Sequence, residues 1–425
     1  MREPADLVIE PRWVLPMTGA GGALEGQAVV INGGRILAIG AASELLARFA
    51  PREHVRRGAH ALLPGFINAH TRASLTLLRA CVPYAQANGA SEALLSRGAG
   101  ADFVRDGTRL AMAGMLRAGI TCFADLSLYP EETARAAAAA QMRVCVALPV
   151  AEDGEGATVQ LSRAEWLWDE YRSDPRVSLY FAPLHAATLS EDTLARVRRV
   201  ADELEARVAV SLHETPQPAL GEVRDAGAPP RHAPALLARL AHLGLLRPGV
   251  TVIGAADAAG IELIERHGAA LIACPQAGLR AGITTVALLA AERTGLGSGN
   301  PVEVGVPDML AEARTAALLS GCSAALALRL ATLGGATALG LAAQVGSIEA
   351  GKAADLTCIE LDPLTRSGSA SVEDALVFAS TRAAVSDVWS GGRAAVKAHT
   401  LLAFDAAELE RIPAHWTQRL LGAAA

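Results

Sequence analysis

The middle of this chain alternates short apolar runs with stretches of helical spacing. The runs fall at residues 62–68, 120–125, 143–150, 177–182, 208–212, 250–253, 270–274 and, weakly, 294–296. Most are nearly continuous in apolar residues, the pattern of a strand covered on both faces, as in a parallel sheet. Between them, residues 103–118, 190–204, 233–245 and 308–320 place apolar side chains at helical intervals. Eight such units predict an α/β fold, a (β/α)8 barrel of the TIM type. In that architecture chemistry gathers at the C-terminal ends of the strands, so the residues just after each run are the ones to inspect.

The two ends of the chain read as short strands. Ala28-Val29-Val30-Ile31 and Arg35-Ile36-Leu37-Ala38-Ile39 flank Asn32-Gly33-Gly34, a turn that tolerates positive φ, and so predict a hairpin. Residues 354–359 and 385–389 are strand-like near the other terminus. We therefore expect residues 1–61 and 345–405 to build one composite β-sandwich, residues 62–344 the barrel, and residues 406–425 a C-terminal helix. The alanine run at 136–140 suits a helix.

Composition narrows the partners. With 51% hydrophobic and 19% charged residues among 425, the chain can bury a large interior. A net charge of -6 leaves no basic footprint for nucleic acid. No apolar run reaches the ~18 residues of a membrane helix, and the N-terminus carries no signal-peptide pattern, so a cytoplasmic location is expected. The six cysteines are scattered without a C-x-x-C pair, which predicts buried free thiols rather than disulfides or a zinc knuckle. Aromatic residues are 4%, low for a pocket that grips a heterocycle by stacking.

Several motifs, taken in order, carry a resemblance. They are Pro64-Gly65-Phe66-Ile67-Asn68-Ala69-His70, Gly119-Ile120-Thr121-Cys122-Phe123-Ala124-Asp125, Phe181-Ala182-Pro183-Leu184-His185, Leu212-His213-Glu214-Thr215 and Gly346-Ser347-Ile348-Glu349-Ala350-Gly351-Lys352-Ala353-Ala354-Asp355-Leu356. Together they resemble the amidohydrolase superfamily, in particular its 5-methylthioadenosine/S-adenosylhomocysteine deaminase and TRZ/ATZ-type chlorohydrolase branch, over almost the whole chain. The resemblance implies hydrolysis of C–N (non-peptide) bonds, or dechlorination, on purine- or triazine-like rings. It implies one zinc held by two histidines after strand one, a histidine after strand five and an aspartate after strand eight. The metal would lower the pKa of its bound water to about 7. A glutamate three residues past the strand-five histidine would shuttle the proton, and a histidine after strand six would assist.

At these positions the chain departs from the pattern. His70 matches the first ligand, but Arg72 stands at the second, and a guanidinium has no lone pair to give. Ser211 stands at the strand-five ligand position and Gly299 at the aspartate. His213, two residues past Ser211, would reach a metal only from a bulged strand end; hydrogen bonding within the pocket is the simpler role. No histidine follows strand six, where the chain reads Thr251-Val252-Ile253-Gly254. The family's Ser-Asn pair after strand seven is replaced by Ala277-Gly278, and the lid region at 82–91 keeps one aromatic, Tyr84. Glu214 remains as the proton shuttle, and His185 stands where the family contacts substrate. Asp125 suits a structural strand-end cap as well as a site. The other histidines read as ordinary surface residues.

One of four ligand positions survives, and open catalytic zinc sites need three protein ligands. No cofactor is therefore expected from the residues themselves; zinc is implied by resemblance only. Arg72 is expected to fill the vacated metal position and pair with Glu214, since a lone buried carboxylate is costly and a guanidinium offers it forked donors. The expected function is that of a metal-poor family member inactive as a zinc deaminase, a pseudoenzyme or a binding or partner subunit. The alternative is an active C–N hydrolase with a rebuilt site using His70, His185, His213 and Glu214. The resemblance implies a small heterocyclic ligand and an oligomer, of this chain alone or with an active relative.

Overall fold

The computed structural model describes residues 2–19, 22–80, 100–212, 233–254, 256–282 and 293–422. Eight parallel strands pair in chain order: Phe66–Thr71, Ile120–Asp125, Arg143–Val150, Val177–Pro183, Arg207–Ser211, Val250–Ile253, Ala270–Ala273 and Thr294–Leu296. They form a nearly closed barrel. The eighth returns to the first through a parallel bridge between Thr71 and Gly299. That seam is polar. Gly299 N–H donates to His70 O at 3.0 Å, Ser298 N–H to Asn68 Oδ1 at 2.9 Å, and Asn68 Nδ2 to Ser298 Oγ at 2.8 Å.

Alternation along each strand divides the side chains. Ile67, Ala69, Cys122, Ala124, Cys145 and Ala147 belong to the cluster that fills the barrel. Phe66, Phe123, Val144, Val146 and Phe181 belong to the larger core shared with the surrounding helices. Those helices include Ala101–Arg117, Pro130–Ala140, Glu191–Glu203 and Met309–Ser320. Several begin at side-chain caps: Ser190 accepts from Thr193 N–H, Asp257 from Gly260 N–H and Asp308 from Leu310 N–H, each cap replacing a partner the first turn lacks.

A second, mixed sheet draws on both termini. Its strand order is Thr400–Leu401, Arg393–Lys397, Val385–Ser390, Leu356–Glu360, Phe49–Pro64, Glu3–Val14, Gln27–Asn32 and Arg35–Ala41, with Leu24–Glu25 beside Glu3–Val14. Residues of Glu3–Val14 feed two apolar clusters, Leu7 and Ile9 in one and Val8, from the opposite face, in the other. The sheet thus has packed faces on both sides, as expected of a small β-domain made from both termini. The expected hairpin forms at Gly33 and Gly34, both at positive φ (57° and 75°).

The run expected as one strand at 62–68 is split. Phe49–Pro64 belongs to the mixed sheet and Phe66–Thr71 to the barrel. Gly65 is the joint, and a Cβ there would lie 2.0 Å from Thr121 Oγ1, so only glycine lets the chain pass so close to strand two. The C-terminal helix Ala406–Gly422 covers the turn after strand one: Trp416 meets Phe103 edge-on at 5.1 Å, and Arg109 grips Glu408 with two hydrogen bonds of 2.7 and 2.6 Å.

The five described cysteines are free. Cys122, Cys145 and Cys358 are buried, and Cys274 and Cys322 partly so. His60 departs from the surface expectation: it lies half-buried in Phe49–Pro64, where burial lowers its pKa. Among the described residues no helix is long and apolar enough to cross a membrane.

Candidate functional site at the barrel mouth

Strands one and five bring His70 and Ser211 together. Both line a cavity of about 10 Å3 at the C-terminal end of the barrel, with Leu126, Tyr180, Pro183 and Ile253 among the other walls. His70 is 8% exposed. The space is close to the minimum that holds one water, and apart from His70, Ser211 and the Tyr180 hydroxyl its described lining is apolar. Tyr180, which the sequence did not single out, comes from strand four and donates to Asp125 O at 3.5 Å. Its place one residue before the outward Phe181 was the available signal for an inward side chain.

Asp125 acts as a structural cap. It is fully buried and accepts from Ala73 N–H at 2.7 Å and from the Thr133 hydroxyl at 2.7 Å. Those bonds fasten the turn after strand one to strand two and to the helix Pro130–Ala140. Burial pushes its pKa up to about 6, against the pull of those two hydrogen bonds and of the Arg72 charge. Arg72, half-buried, therefore lies within electrostatic reach of Asp125. The expected pairing of Arg72 with Glu214 falls outside the described residues, as do His213, Glu214 and the lid region at 82–91.

His185 lies in the turn after strand four with φ of 50°, a left-handed conformation in which histidine is enriched among non-glycine residues. Its carbonyl accepts from both Thr188 N–H and Thr188 Oγ1, at 2.8 and 2.9 Å. Gly299 also has a positive φ, 69°, and a Cβ built there would lie 3.2 Å from Ala277 Cβ. Ala277 comes from the segment after strand seven, so the two replaced positions touch.

A zinc ion would need at least three donors at this mouth. His70 offers an imidazole, Arg72 offers only donor N–H groups, Ser211 a neutral hydroxyl, and Gly299 no side chain. Asp125 is committed to Ala73 and Thr133. Among the described residues no three His, Cys, Asp or Glu side chains converge as a metal site. Among the described residues, this donor set does not fit zinc.

A buried acid also lies behind the mouth. Glu312, on Met309–Ser320, is 1% exposed and accepts from Gln276 N–H at 3.0 Å. Burial pushes its pKa up to about 8, so it carries its proton at neutral pH.

A nearly closed barrel of eight parallel strands joined to a sheet from both termini defines the architecture of the amidohydrolases. The chain belongs to that family: residues 61–395 match the amidohydrolase family model. It is similar to 5-methylthioadenosine/S-adenosylhomocysteine deaminases of Teredinibacter turnerae, 31% identical over 98% of each chain, and of Saccharophagus degradans, 30% identical over 99% of this chain and 98% of that one. Among solved structures, an adenosine deaminase from Xanthomonas campestris with bound zinc superposes with a TM-score of 0.90. It is 31% identical, over 99% of this chain and 100% of that one. Atrazine chlorohydrolase TrzN from Arthrobacter aurescens, with zinc, shares the fold at a TM-score of 0.82 and 21% identity, over 97% of this chain and 100% of that one.

Proposed function

We propose that this chain is a metal-poor member of the amidohydrolase family that does not work as a zinc deaminase and acts instead by binding. The observation that carries the proposal is the donor set at the mouth: His70, Arg72, Ser211 and Gly299 stand where the family's zinc ligands are expected, and one of the four can ligate. Arginine can stabilise an oxyanion by hydrogen bonding, but it does not ionise water as a bound zinc does. On this reading Arg72 takes the place of the metal's positive charge, with Glu214 as its partner. The ligand class is a small heterocycle related to the substrates of the similar deaminases, and the protein assembles with itself or with an active relative.

The test is a deamination assay with 5-methylthioadenosine, S-adenosylhomocysteine and adenosine, with and without added zinc, using the Xanthomonas campestris adenosine deaminase as the positive control. No turnover above background is expected in either condition, together with saturable binding of at least one of these compounds in calorimetry. Zinc-stimulated turnover would establish the rebuilt hydrolase instead. Absence of both turnover and binding would leave assembly with a partner as the role, read from mass by light scattering alone and with an active relative.

A further inference from the structure

We propose that the barrel interior below the mouth binds a small monovalent anion against Arg207. A cavity of about 30 Å3 lies there, with Ala69, Cys145, Ser178, Tyr180, Arg207 and Thr251 in its lining. Arg207 opens strand five at the base of the barrel. Among the described residues only its Nη2 donates hydrogen bonds, to Ala338 O at 2.8 Å and to Thr251 Oγ1 at 3.4 Å, both neutral acceptors. No carboxylate among the described residues pairs with it.

The surrounding charges deepen the imbalance. Arg293 is a second cation within electrostatic range. Arg143, the neighbouring cation at the base, is matched by Asp355 through a 3.2 Å hydrogen bond from its Nε. Burial pulls the Arg207 pKa down from its ordinary value, yet a guanidinium stays protonated in proteins. Its charge is therefore not relieved by deprotonation, and a largely buried charge without a counter-charge is unfavourable. An anion in the cavity would supply the counter-charge against the Arg207 guanidinium that lines it. The cavity of about 30 Å3 exceeds the ~10–15 Å3 minimum that holds one water, which leaves room for a halide.

One internal alternative exists. Cys145 lines the same cavity, and its thiol pKa is lowered chiefly by a hydrogen bond from Cys122, with burial opposing and Arg143, Arg207 and a hydrogen bond from Ser178 assisting. A Cys145 thiolate would itself be the counter-charge. The proposal places the negative charge on a bound ion rather than on sulfur.

The experiment uses the full chain with bromide as the probe. Crystals soaked in bromide should show one anomalous peak inside the barrel within hydrogen-bond reach of Arg207. In solution, chloride or bromide should raise the melting temperature by about 1–3 °C over gluconate at equal ionic strength. Arg207→Met should lose that shift. A barrel without a bromide peak and a melting temperature indifferent to halide would overturn the proposal. So would halide dependence in Cys145→Ser that the native chain lacks, because sulfur would then be the counter-charge. If Arg207→Met does not fold, the bromide map of the native chain still decides. The outcome is independent of whether the mouth has lost its zinc chemistry.

Discussion

At the base of the barrel, Arg143 is 6% exposed and paired: Nε donates to Asp355, and Nη1 to Pro175 O and Gln344 Oε1, at 3.2, 2.7 and 3.2 Å. Asp355 also accepts from Gly391 N–H at 2.6 Å, so it ties the mixed sheet to the barrel. At the mouth, His70 and Ser211 face a cavity that is otherwise largely apolar. Both ends belong to one set of strands, yet they answer to different constraints. Arg143 and Asp355 satisfy one another there and hold two sheets together, so losing either partner strands a buried charge. Donors at a catalytic mouth are held by the metal they bind. On the proposed reading, without that metal nothing in the packing preserves them.

The largest expected effect lies at the base. Asp355→Ala leaves Arg143 buried and uncompensated and should cost about 3–5 kcal/mol in urea unfolding; a loss below ~1 kcal/mol would erase the contrast between the two ends.

Next comes pH. Glu312 keeps its proton in the fold up to about pH 8, whereas in the unfolded chain it ionises near its ordinary value of 4.5. The folded state therefore binds the extra proton between those values. Its contribution is whole below pH 4.5 and is lost as pH rises through 8, on the order of a few kcal/mol. Asp125, at about 6 in the fold, adds the same sign over pH 4 to 6. Denaturation from pH 5 to 8.5 should show stability falling, and Glu312→Gln should flatten the upper part of that fall.

Restoring one ancestral donor tests the mouth more gently. Gly299→Asp places a side chain at φ 69° with its Cβ 3.2 Å from Ala277, and should cost about 1–3 kcal/mol. The combined reversion Arg72→His, Ser211→His, Gly299→Asp should therefore recover zinc only weakly unless Ala277 also yields; tight zinc binding in that triple variant would show the pocket had barely drifted. The smallest effect is expected at Ser211→Ala, under about 1 kcal/mol, since it removes a single small polar atom from a partly exposed position.

Most of the architecture was legible because it rests on periodicity. Eight apolar runs marked the barrel strands, including the weak run at 294–296 that became Thr294–Leu296. The hairpin at Gly33 and Gly34 followed from turn chemistry. The break at Gly65 was not legible as a change of sheet, because an apolar run looks the same whether one sheet or two receive it. At the mouth, motif positions identified His70, Arg72, Ser211 and Gly299. The contact between positions 277 and 299 needed coordinates, since it joins the ends of two strands. Arg207 and Glu312 were missed for a related reason: a charged residue beginning a strand or lying in a helix reads as a solvated one until its neighbours are known.

Metal content of the purified chain tests the central claim most directly. After expression in zinc-supplemented medium and removal of loosely held ions, elemental analysis beside the Xanthomonas campestris deaminase should find zinc far below one ion per chain here and near one there. A value near one zinc per chain, retained against a competing chelator, would contradict the account.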